Sequence, residues 1–244
     1  MEINIKGHKA LVTGASRGIG RDLAVLLAEL GCDIALVGRD PAKLKETEGL
    51  CKQKNSDGKT HVISRDLTEE GAAERIMAEA IKALDSLDIL VNNAGTSLNS
   101  PIEETREEDF DNLMRVNARA PFFLCKAAIP HLEKSKAATI INISSVVGHK
   151  GYVHQAAYAA SKHAFSGFTK VLAREVQEKG IRVYLLSPGG VHTDMVQKMR
   201  PDLDTAGLIK TEDIADVVRF LVTHRGNAMI DEIRIRRAGG TPWA

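Results

Sequence analysis

A chain of 244 residues with 43% apolar side chains can bury a large core, and the expectation is one α/β domain over residues 1–244, since sheets of this kind run past the average domain size. The 33 basic and 32 acidic residues leave a formal net charge of +1, which excludes a broad electrostatic case for nucleic acid or a membrane surface. Cys32, Cys51 and Cys125 are odd in number and show no ligand spacing, so they read as reduced, packed thiols of a cytoplasmic protein, and no apolar run approaches a membrane span.

In chain order, Ala10–Thr13 reads as a short buried strand that runs into Gly14-Ala15-Ser16-Arg17-Gly18-Ile19-Gly20 and then into a helix over Gly18–Leu30. Strand, glycine turn and helix N-terminus together make a phosphate cradle. The glycines let a pyrophosphate approach the backbone, and the helix end offers unpaired N–H groups and a positive dipole. The Gly-x3-Gly-x-Gly spacing departs from the commoner Gly-x-Gly-x2-Gly, and a plain tight turn would use the same residues. Asp33–Val37 is the second strand, followed by a helix over Pro41–Lys54 whose Pro41 suits a first turn and whose Asp40 suits the cap. Val62–Ser64 and Ile89–Val91 are the third and fourth strands, with a helix over Glu69–Leu84 between them. A long helix over Glu107–Leu132 leads to a fifth strand, Thr139–Ser144, and a helix over Ala156–Lys179 to a sixth, Val183–Leu186. The last helix is Thr211–His224, and Ile233–Ile235 is a candidate seventh strand. Gly31 and Gly180 fit the helix ends that precede strands. This alternation implies an α/β fold: a doubly wound, Rossmann-like parallel sheet of six to seven strands with helices on both faces.

In such a sheet ligands sit at the carboxyl ends of the strands. Gly14 and Ser16, Gly38-Arg39, Asp66, Asn92-Asn93-Ala94-Gly95, Ser145 and Pro188-Gly189 all fall there. Tyr158 and Lys162, four apart on one helix, share a face. A free tyrosine titrates near ~10, and an ammonium at about 4 Å in an effective dielectric of about 20 is worth roughly 4 kcal/mol, or about three pKa units. Lys162 is therefore expected to bring the phenol toward the working pH.

Thr13-Gly14-x3-Gly18-Ile19-Gly20, Asn92-Asn93-Ala94-Gly95, Ser145 followed thirteen positions later by Tyr158-x3-Lys162, and Pro188-Gly189-Gly190-Val191-His192-Thr193 occur together and in order. By these motifs the chain resembles the short-chain dehydrogenase/reductase family, in the compact branch that includes 3-oxoacyl-[acyl-carrier-protein] reductases, from about Lys6 to about Leu221. The resemblance implies a catalytic set of Asn117, Ser145, Tyr158 and Lys162. In it Tyr158 exchanges the proton with the substrate oxygen and Ser145 hydrogen-bonds that oxygen. Lys162 lowers the tyrosine pKa and holds the nicotinamide ribose, and Asn117 fixes a water that relays protons to the lysine. For Asn117 a buried side chain bonding backbone is the alternative.

The same resemblance implies cofactor contacts at Gly14, Ser16, Arg17, Gly18, Ile19, Gly20, Arg39, Asp66, Leu67, Asn93, Ala94, Gly95, Tyr158, Lys162, Pro188, Gly189, Val191 and Thr193. An NAD enzyme of this fold places a carboxylate at the end of the second strand, where this chain has Gly38 followed by Arg39. Arg39 with Arg17 suits a dianionic 2′-phosphate, so NADP(H) is expected over NAD(H), two solvated arginines being the other reading. Asp66 and Thr193 have a second reading as helix caps.

The expected substrate is a small-molecule or carrier-bound ketone, a 3-oxoacyl thioester first, in a pocket walled by Val147, Gln155 and His192. No histidine or cysteine spacing supports a metal site. The class alternative is a catalytically idle nucleotide-binding or redox-sensing protein on the same scaffold. Small residues Ala156, Ala160, Ala164 and Gly167 at helical spacing, with the resemblance, imply a homotetramer or homodimer. The stretch Asp231–Gly240 departs from the strand ending in Asp-Gly-Gly that is usual in the family.

Overall fold

The computed structural model describes residues 2–199 and 204–241. Strands β1 (Lys9–Thr13), β2 (Asp33–Gly38), β3 (Thr60–Ser64), β4 (Ile89–Asn92), β5 (Thr139–Ile143), β6 (Arg182–Pro188) and β7 (Glu232–Ile235) form one sheet, in the order β3-β2-β1-β4-β5-β6-β7. Every pairing is parallel. The strand order reverses between β1 and β4, which is the switch point where such a sheet opens a crevice.

Helices α1 (Gly18–Glu29), α2 (Pro41–Lys54), α3 (Ala72–Leu84), α4 (Glu107–Met114), α5 (Ala120–Leu132), α6 (Ala156–Glu175), α7 (Asp194–Met199) and α8 (Thr211–Thr223) connect the strands. Alternate residues of each strand feed opposite layers. Val12, Leu36 and Val91 pack with Leu23 and Leu27 of α1 and Ile214 and Val218 of α8. Leu11, Val37 and Leu90 pack with Ile76 of α3, Leu124 of α5 and Leu172 of α6. Covering both faces explains why β2, β4 and β5 are buried throughout rather than alternating. No described helix is long and apolar enough to cross a membrane.

Three helix boundaries differ from the sequence reading by more than one residue, each for a local reason. α3 begins at Ala72 rather than Glu69, because Gly71 takes a left-handed φ of 67° and breaks the run. α6 ends at Glu175, and a series of turns carries the chain to Gly180 at φ 70°. The single helix expected over Glu107–Leu132 is interrupted by one π-helical turn at Arg115–Arg119, which re-aims Asn117 inward. Asp40 caps α2 as expected, accepting from the Ala42 and Lys43 amides at 3.1 Å.

Candidate active site

A crevice of about 530 Å³ opens across the carboxyl ends of the strands. After β1 it is lined by Gly14, Ser16, Arg17, Gly18 and Ile19, after β2 by Gly38 and Arg39, and after β3 by Asp66 and Leu67. From the other half of the sheet come Asn93, Ala94 and Gly95, then Ser145, Tyr158 and Lys162, then Pro188, Gly189, Val191, His192 and Thr193. Gly20, Asn117, Val147 and Gln155 are not among the lining residues.

The glycine turn is shaped by close approach. At Gly14, φ is +66° and a Cβ would lie 2.9 Å from Ala94 Cα, so only glycine lets β1 and β4 close on each other here. Gly20 serves packing instead: a Cβ there would stand 2.3 Å from both Gly14 O and Asn93 Nδ2. Asn93 braces the same junction, its amide donating to Thr13 Oγ1 at 3.0 Å and its Nδ2 to Thr13 O at 3.0 Å. The first turn of α1 has no side-chain cap, which leaves its amides facing the crevice beside Ser16 and Arg17.

Both expected phosphate-binding cations line the crevice. Arg17 lies 3.4 Å from Asp194, and Arg39 lies 3.9 Å from Asp66 with its side chain 76% exposed. Such exposed pairs are worth little, so either guanidinium can exchange its carboxylate for a phosphate at small cost. The cap readings also describe local geometry. Asp66 Oδ1 accepts from the amide and hydroxyl of Thr68 at 2.8 and 2.7 Å, and Thr193 Oγ1 accepts from the Val196 amide at 3.5 Å. An uncapped helix end, two cations and a glycine-shaped cleft form the donor set that a phosphorylated dinucleotide requires.

At the opposite end, Ser145, Tyr158 and Lys162 are 9%, 8% and 4% exposed. Ser145 Oγ accepts from the Val147 amide at 3.2 Å, and Ser145 and Tyr158 line the same end of the crevice. The expected lowering of the phenol pKa by Lys162 does not occur. Burial pushes Tyr158 up from 10, opposed only by the Ser145 hydrogen bond. The reason is direction: the Lys162 ammonium donates to Ile143 O at 3.2 Å and stands 5.2 Å from the Phe165 ring centroid. Burial also pulls Lys162 down to about 8.

Asn117 is fully buried behind this site. Its Nδ2 donates to Thr96 O at 2.8 Å and to Ser161 Oγ at 3.0 Å, and its Oδ1 accepts from the Thr96 amide at 2.9 Å. The alternative reading, a buried side chain bonding backbone, therefore describes what it does locally. It is still close to Lys162, because a Cβ on Gly95 would lie 3.3 Å from Asn117 Oδ1 and 3.7 Å from Lys162 Nζ.

The expected substrate residues divide. His192 lines the crevice with its Nε2 at 3.0 Å from Gln197 Nε2. Val147 turns inward against Leu113, Ala157 and Tyr158, and Gln155 is 7% exposed. The other walls are Thr96, Asn112, Val116 and Gln197, with Arg21 and Arg65 at the other end. Sequence reasoning missed these because they carry no motif of their own. The one available signal was adjacency, Thr96 following Gly95 and Val116 preceding Asn117. The segment between Thr193 and Thr211 includes residues 200–203, which lie outside the described residues.

Residues 8–204 match the short chain dehydrogenase family. An uncharacterized oxidoreductase of Thermotoga maritima is 34% identical over 245 residues, covering 95% of this chain and 96% of its own. The 3-oxoacyl-[acyl-carrier-protein] reductase of Vibrio cholerae is 34% identical over 229 residues, covering 91% of this chain and 92% of its own. The crystal structure of a metagenomic short-chain oxidoreductase in complex with NADP superposes with a TM-score of 0.83 at 32% identity, over 97% of this chain and 99% of that one.

Proposed function

The chain belongs to the short chain dehydrogenases, and from that premise we propose that it is an NADP(H)-dependent oxidoreductase acting between a ketone and a secondary alcohol, with 3-oxoacyl thioesters as the leading substrate class. The cofactor reading is supported by the NADP complex of the metagenomic relative and by Gly38, followed by Arg39, where an acid would hold a bare ribose hydroxyl. The substrate reading is supported by the Vibrio cholerae reductase.

NADPH, when bound, supplies hydride to the carbonyl carbon. The rest falls to side chains of this chain. Arg17 and Arg39 would hold the 2′-phosphate, the α1 amides and the glycine turn the pyrophosphate, and Thr193 the nicotinamide end. Tyr158 donates its phenolic proton to the carbonyl oxygen as negative charge develops there, and its raised pKa keeps that proton in place at pH 7. Ser145, beside the phenol in the crevice, gives its hydroxyl to the same oxygen. Lys162, charged for the most part at pH 7, lines the crevice where it would hold the nicotinamide ribose hydroxyls. Asn117 holds the Thr96 loop, and with it Gly95, against the ammonium.

The observation that carries this reading is that Ser145, Tyr158 and Lys162, each at least nine-tenths buried, come together at one end of the crevice. Its test is a panel of ketones, 3-oxoacyl thioesters and secondary alcohols followed at the reduced-nicotinamide band. Oxidation of NADPH by a 3-oxoacyl thioester is the expected result, and no turnover of any panel member with either cofactor refutes it. Lys136 and Arg174, both exposed, are the cations that would meet an acidic carrier.

Assembly into a homotetramer, or a homodimer, is part of the same proposal. Ala156, Ala160 and Gly167 lie exposed along α6, and an apolar groove beside them is lined by Met114, Phe122, Ala164 and Phe168. The compartment this reading implies is the cytoplasm.

A further inference from the structure

The C-terminal strand departs from the family pattern and has no part in the chemistry above, yet one of its side chains reaches the turn that carries Ser145. Glu232 of β7 places Oε1 3.1 Å from His149 Nε2, and the same ring nitrogen lies 2.9 Å from Ser187 Oγ of β6. The His149 side chain is 11% exposed, that of Glu232 21%, and Ser187 is fully buried. His149 is not among the crevice-lining residues, so it does not wall the pocket.

From His149 the connection to Ser145 is short and hydrogen-bonded at each step. The two residues bracket a single 3-10 turn, Val146–Gly148. The His149 amide donates to Val146 O at 3.1 Å, the Gly148 amide to Ser145 O at 2.9 Å, and the Val147 amide to Ser145 Oγ at 3.2 Å. Gly148 closes the other side: a Cβ there would meet Ser166 Oγ at 2.7 Å and both Lys162 O and Ser144 Oγ at 3.0 Å. The turn is thus wedged against α6 on one side, and the His149 ring ties its exit to β6 and β7.

We propose that Glu232 and His149 are positioning residues for Ser145, the C-terminal strand reaching past β6 to hold the turn whose Val147 amide orients the serine hydroxyl. The inference rests on the role given to Ser145 above. The ring works as a neutral N–H donor. Burial first, then Arg234 of β7 and Lys170 and His163 of α6, push its pKa below 6.5 against the pull of Glu232. Arg234 Nε lies 2.6 Å from the same Glu232 oxygen and fixes the carboxylate in place.

The test compares Glu232→Ala with Glu232→Gln, whose amide oxygen can still accept from Nε2. Misplacement of a reacting group by a fraction of an ångström lowers kcat by about tenfold or more. Glu232→Ala is therefore expected to lose about that much kcat with KM for NADPH unchanged, and Glu232→Gln to recover most of it. In parallel, the Val147 and Gly148 amides should exchange with solvent about tenfold faster in Glu232→Ala than in Glu232→Gln. Faster exchange with unchanged kcat, or lost kcat with unchanged exchange, overturns the proposal. So does a parallel loss of kcat and NADPH affinity in both variants, which marks general unfolding. If the unmodified chain turns over no ketone at all, the functional reading fails instead, and the exchange rates alone decide whether Glu232 holds the turn.

Discussion

Lys162→Met is expected to make the ligand-free protein more stable while removing its activity. The ammonium is 4% exposed, and burial moves its pKa from 10.5 to about 8. A folded-state pKa about 2.5 units below the unfolded one means that keeping this lysine charged costs the fold about 3 kcal/mol. The cost is complete below pH 8, declines between pH 8 and 10.5 as the unfolded lysine also loses its proton, and is absent above 10.5. Methionine fills nearly the same volume, but the Ile143 carbonyl loses its donor, which returns about 1 kcal/mol. The net gain at pH 7 is then about 2 kcal/mol. Urea denaturation followed by far-ultraviolet circular dichroism, at pH 7 and again near pH 10, measures it. A variant less stable than the parent at pH 7, or one whose gain is the same at both pH values, refutes the argument that burial of the charge dominates.

Tyr158→Phe keeps the ring and its packing, so NADPH should bind unchanged while turnover falls about a hundredfold or more, read from kcat and from fluorescence titration of the cofactor. Arg39→Asp should raise KM for NADPH and lower it for NADH, and unchanged constants for both would remove Arg39 from the 2′-phosphate. Gly14→Ala puts a methyl 2.9 Å from Ala94 Cα at a left-handed φ, and should cost about 1–3 kcal/mol in chemical denaturation together with NADPH affinity. Phe122, 48% exposed at the groove beside α6, is expected to lie in a subunit interface. Light scattering should give a tetramer or dimer mass for the parent and a smaller one for Phe122→Asp, and a monomer mass for the parent refutes the interface.

The features legible in the sequence are those set by neighbours a few positions away. Apolar runs punctuated by glycine mark the strands, because a doubly covered parallel strand needs apolar residues on both faces. Asp40 before Pro41 announces a cap because its carboxylate reaches amides only two and three residues on. The crossover rules then bring the strand ends together, which is why most of the expected cofactor positions do line one crevice.

Tertiary structure alone decided what each polar group faces. Helical spacing set Tyr158 and Lys162 on one face of α6, but the ammonium turned to Ile143 O because β5 lies alongside and offers a carbonyl. The π turn at Arg115–Arg119 leaves no mark in a helical pattern, yet it buries Asn117 against Thr96 and Ser161. Arg17 meets Asp194 from 177 positions away, and His149 meets Glu232 only because β6 and β7 pair in parallel. Such partners are fixed by sheet order and register, which arise from the summed packing of the whole core, whereas a local pattern specifies only the segment that carries it.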